Sequence, residues 1–163
     1  MKARNASIGL ILAALWATHS HAAVTVNCTA SAGGIAFGIY NPLSAVANVS
    51  TGTLQVTCNG TGNGKTQVTL NVTLSTGLSG SYATRTMFSG VNTLNYNIFS
   101  TAAYSQIIGD GSGGTVAGSV GPFRVTAGGG NVVETETFYG RIPASQDVAP
   151  GSYSDVITVT VTY

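Results

Sequence analysis

Residues Tyr153–Tyr163 read Y-S-D-V-I-T-V-T-V-T-Y, with Ile157, Val159, Val161 and Tyr163 at alternate positions and Thr158, Thr160 and Thr162 between them. A period of two with one apolar row is the pattern of a strand that buries a single face. The sequence ends at Tyr163, so no later residue turns back to pair with this strand. A strand left at a sheet edge presents unpaired N–H and C=O groups, which another polypeptide must cover if aggregation is to be avoided. The expectation is a molecule built for assembly, not catalysis.

Further strands are expected over Val24–Ala30, Gly52–Asn59, Thr66–Ser75, Thr93–Ser100 and Val132–Ile142, with a short one over Ile35–Tyr40. Val68, Leu70, Val72 and Leu74 give the cleanest alternation. Thr, Val and Tyr dominate these runs, and Gly, Asn and Ser clusters such as Asn59–Gly64, Gly109–Gly118 and Gly128–Gly130 separate them. No helical period follows residue 22. About seven short strands with turn signals between them read as one all-β sandwich or barrel.

Lys2 and Arg4 precede an apolar run from Ile8 to Ala17, and Ser20-His21-Ala22 supplies small residues for cleavage. That is a secretory signal peptide over residues 1–22, with cleavage after Ala22 or Ala23, and the run is shorter than the roughly 20 residues a membrane span needs. Residues 23–163 then form the mature domain. Both histidines and the only tryptophan leave with the signal peptide. Lys65, Arg85, Arg124 and Arg141 remain against Asp110, Glu134, Glu136, Asp147 and Asp155, so four minus five gives a net charge of −1. No basic patch suits nucleic acid. So sparse a charge fits a subunit packed within a polymer or coat.

Cys28 and Cys58 are the only cysteines. Each ends an alternating inward row (Val24, Val26, Cys28 and Leu54, Val56, Cys58), and an even count in a secreted chain implies one disulfide. A zinc site would need three or four N/S ligands. Nucleophilic catalysis lacks a histidine base, and Lys65 lies in a Gly/Asn-rich turn. Glu134 and Glu136 are the nearest carboxylate pair; two apart on a strand, they point the same way and read as a solvated face. Gly109-Asp110-Gly111-Ser112-Gly113-Gly114 has neither EF-hand nor P-loop spacing and reads as a turn. No catalytic residue, metal or cofactor is expected.

A set of segments resembles the spore coat protein U domain family, the subunits of archaic chaperone–usher pili. They are Cys28, Phe37-Gly38-Ile39-Tyr40-Asn41-Pro42-Leu43, Thr57-Cys58, Arg85-Thr86-Met87, Leu94–Phe99, Gly109-Asp110-Gly111, Tyr139–Ala144 with Gln146, and Pro150–Asp155. They occur in order along nearly the whole mature chain. The resemblance implies an immunoglobulin-like β-sandwich that is incomplete, lacking its final strand. It also implies a periplasmic chaperone that lends a strand, an outer-membrane usher, and neighbouring pilus subunits that replace the chaperone. Ile157, Val159, Val161 and Tyr163 are then expected to line or border the groove for the donated strand.

Family shaft subunits carry a donor segment of a dozen or more residues before the first cysteine, whereas Ala23–Asn27 reach at most about 18 Å. The expectation is therefore a terminal or tip-like subunit, or a coat protein that does not polymerise by the usual exchange, secreted through the periplasm to a pilus or coat at the cell surface. The rival readings are a self-contained surface- or carbohydrate-binding module and a secreted hydrolase.

Overall fold

The computed structural model describes residues 23–163, and the signal peptide expected over residues 1–22 lies outside them. Eight strands and one 3₁₀ turn (Gly77–Ser79) follow in order: β1 (Thr25–Ala32), β2 (Asn48–Thr61), β3 (Lys65–Leu74), β4 (Arg85–Ser89), β5 (Asn92–Phe99), β6 (Gly118–Thr126), β7 (Val132–Ile142) and β8 (Val159–Thr162). They form two antiparallel sheets, ordered β1-β2-β7-β5-β4 and β6-β3-β8. In immunoglobulin lettering, β1-β2-β7-β5 takes the places A-B-E-D, and β3 and β8 take C and F. The place of G, on the side of β8 away from β3, is held by no strand among the described residues.

The alternating rows build the core. Leu54, Val56 and Cys58 from β2 meet Val68, Leu70, Val72 and Leu74 from β3, all buried, together with Phe138 and Ile142 from β7. Burying the four β3 side chains contributes on the order of 6–12 kcal/mol. Cys28 and Cys58 face each other in the β1–β2 register and are disulfide-bonded, with Cα atoms 4.1 Å apart. So close an approach marks a pair that exchanges no backbone hydrogen bonds. The Cys28 N–H therefore turns to the outer edge of β1, where it donates to the Tyr163 hydroxyl at 3.3 Å.

Arg85, at the start of β4, is fully buried. Its guanidinium donates to Ser75 O (3.1 and 2.9 Å), Asn97 Oδ1 (2.8 Å) and Ile108 O (2.8 Å). Burial lowers its pKa, opposed by the Coulombic influence of Tyr96, Tyr82 and Asp155. One cation thus ties together the end of β3, the middle of β5 and the loop after it.

Three expectations need correction. The strand expected over Tyr153–Tyr163 is a ladder only at Val159–Thr162, paired with β3. Residues 153–158 alternate in burial but pass between sheets, exchanging hydrogen bonds with Phe88 at Ser154 and with Ser75 at Thr158. Ile35–Tyr40 is not a strand: the Ser50 hydroxyl holds Ala36 O and the Asn48 amide holds Phe37 O and Ile39 O, in place of a ladder. Glu134 and Glu136 do share a face, but it is the inward one of Phe138 and Ile142, and both are half-buried.

Burial raises the Glu136 pKa above the ordinary carboxylate value. A carboxyl raised on folding gives its full stability below the unfolded pKa and loses it as pH rises through the folded pKa. Glu136→Gln is therefore expected to raise Tm slightly at pH 7, the two proteins converging below about pH 4. Thermal unfolding across pH checks this.

Candidate functional site: a cleft beside the edge strand

After Ala32 the chain leaves the edge of β1 and crosses onto the inner face of its own sheet. Ile35 and Phe37 lie on β2 and β7 at Gly52 and Gly140, where an added Cβ would come within 2.7 Å of Ile35 and 2.6 Å of Phe37. Only glycine admits this approach. The segment thereby enters the layer of β8, and an elongated cleft separates it from residues 148–159.

The cleft comprises two hollows of about 540 and 440 Å³ that share Ile35, Phe37, Met87 and Tyr153 in their walls. Leu94 and Ile142 add to the first; Leu74, Tyr96, Ile98 and Phe138 add to the second, with Asp155, Ile157 and Val159 on its far wall. Its lining is the apolar core seen from the side. The inward residues of the edge, Ile157, Val159 and Val161, are only half-buried, whereas their counterparts on β3 are buried.

Polar groups fix the walls. The Tyr40 hydroxyl donates to Pro143 O (3.0 Å) and accepts from Gln146 N (2.8 Å). The Gln146 amide in turn caps both backbone groups of Asn95, at 2.9 and 2.8 Å. On the opposite wall Asp155 accepts from the Tyr96 hydroxyl (2.8 Å) and from the backbone N–H of Leu78 (2.8 Å) and Val156 (2.7 Å). Burial, then the Asp155 hydrogen bond, pushes the Tyr96 hydroxyl pKa up, so it stays a donor. Among the described residues no group of three His, Cys, Asp or Glu could hold a metal. Beside the mouth, Ile39 and Leu43 are 95% and 93% exposed.

The comparisons fit this architecture. The model of the Spore Coat Protein U domain matches residues 13–160. The chain belongs to that family. No curated protein matches it. Among solved structures it is similar to a pre-assembly complex of the CsuC chaperone with the CsuE tip adhesion subunit, from archaic chaperone–usher Csu pili of Acinetobacter baumannii. The TM-score is 0.56 at 21% identity, covering 85% of this chain and 40% of that chain, a likeness that speaks for the fold.

Within this Spore Coat Protein U domain, the four residues expected at the groove separate. Ile157 and Val159 line the cleft. Val161 packs half-buried against the core, and Tyr163 is 63% exposed, its hydroxyl reaching across to Cys28. Sequence reasoning missed the opposite wall, Ile35 and Phe37, and the floor supplied by Met87, Leu94 and Tyr96. The alternation of Ile35, Phe37 and Ile39 was the available signal, but it carried no hint that the segment changes layers.

Proposed function

We propose that the domain is a structural subunit of a surface pilus or coat, and that its cleft accepts a β-strand from another polypeptide. A periplasmic chaperone supplies the strand during secretion, an outer-membrane usher directs assembly, and a neighbouring subunit replaces the chaperone. The observation that carries this reading is the cleft beside β8, where a strand in the G place would lie. A strand there gains ladder hydrogen bonds and seats alternate side chains over an apolar floor. The family and the pilus-derived complex support the same partners. The cell surface is then the destination, and the protein does no chemistry. β1 is paired with β2 along its whole length from Thr25, which favours a terminal or tip-like position that accepts a strand over one that also donates.

The test is thermal unfolding of residues 23–163 with ten-residue peptides carrying Val, Leu or Phe at four alternate positions. At 100 times Kd, binding stabilises by about 2.7 kcal/mol, a rise in Tm of roughly 5–12 °C. Ile157→Thr with Val159→Thr should weaken the response. A monomer that unfolds cooperatively and ignores every such peptide would favour the self-contained binding module.

A further inference from the structure

Open backbone is not confined to the cleft. β5 meets β7 only at Tyr139–Arg141, so from Val132 to Phe138 the side of β7 away from β2 has no ladder partner among the described residues. β6 is also an edge, but Pro122 in its middle has no N–H to offer. β7 carries no proline, and its outward residues Val133 and Thr135 would suit a pairing strand. Its inward residues differ. Glu134 and Glu136 point between the sheets, opposite Val56 and Leu54, and are half-buried. A strand laid along this edge would extend the inner face over both carboxylates and take them out of water. Inward-pointing charge is a known means of blunting an edge, because burying an unpaired carboxylate is costly.

We infer that Glu134 and Glu136 keep the open edge of β7 from taking up a strand, and so direct strand addition to the cleft. The contrast is local: along the cleft Ile157, Val159 and Val161 face inward and the carboxylate of Asp155 is held by hydrogen bonds from Tyr96, Leu78 and Val156, whereas two carboxylates stand between Val132 and Phe138 in the inward row of the second edge. The second half of the inference rests on the strand-acceptor reading, whereas the first half stands without it.

The experiment compares wild type, Glu134→Val with Glu136→Val, and Glu134→Gln with Glu136→Gln, each with a saturating alternating-valine peptide. A fourth protein, Thr135→Val with Thr137→Val, raises apolar content on the outward face alone. Sedimentation reads mass, and hydrogen exchange reads the Val132–Phe138 amides. The expected result is concentration-dependent self-association of the Glu→Val protein, and to a smaller degree of the Glu→Gln protein, with at least tenfold slower exchange along that stretch. Wild type and the outward-face variant should show neither. Unchanged mass and exchange in both glutamate variants would overturn the inference, as would equal association of the outward-face variant. A wild type that binds no peptide would instead overturn the strand-acceptor reading, and the comparison among variants would still decide the guard.

Discussion

Arg85→Met is expected to destabilise the domain by roughly 3–6 kcal/mol, against a total of about 5–15 kcal/mol for a domain of this kind. Arg85 is the sole hydrogen-bond donor found for Ser75 O and Ile108 O among the described residues. The buried Ile108 carbonyl and the part-buried Ser75 carbonyl, left without a donor, cost about 1–3 kcal/mol each, the latter toward the low end, and imperfect packing adds to that. Asn97 Oδ1 suffers less, since it also accepts from Ile98 N at 3.0 Å. Arg85→Lys should recover part of the loss, because one ammonium cannot reproduce the fork that spans three acceptors. Urea unfolding followed by tryptophan-free near-UV signals and far-UV circular dichroism measures the differences. A loss below about 1 kcal/mol for Arg85→Met would show that the network is dispensable.

The second large effect is loss of the disulfide. Cys28 and Cys58 close a loop with a sequence separation of 30, which the chain-entropy model values at roughly 3–4 kcal/mol. Cys28→Ala with Cys58→Ala should lower the urea midpoint accordingly. Reduced wild type should fall to the same midpoint, whereas reductant should leave the variant unmoved. If the reduced wild type keeps its full stability, the bond contributes nothing to the folded domain.

Most of the sandwich was legible because burial on one face writes itself as alternation. β3 could be delimited closely, since it keeps an unbroken period of two, β7 was bounded on one side by the Gly128–Gly130 turn, and the disulfide followed from the inward rows that end at Cys28 and Cys58. β4 was missed because its first inward position holds Arg85, a residue that reads as surface until its three acceptors are known. β6 was missed because Gly121-Pro122 breaks its pattern, and its pairing with β3 shifts register between Val68 and Leu70. The cleft was half legible. Ile157 and Val159 declared an apolar face, but nothing local distinguishes a ladder strand from the extended backbone at residues 153–158. Which partner a segment finds is a tertiary fact. The inward turn of Glu134 and Glu136 was hidden for the same reason: their spacing fixes a shared face but not its side.

The covalent link between Cys28 and Cys58 also decides how the molecule answers a pull. Tension entering upstream of Cys28 passes through the sulfur atoms directly into β2, which is zipped to β7 from Asn48 to Cys58. The intervening stretch, with Ile35 and Phe37, is short-circuited and carries no load. The wall of the cleft that Ile35 and Phe37 form is therefore spared the load.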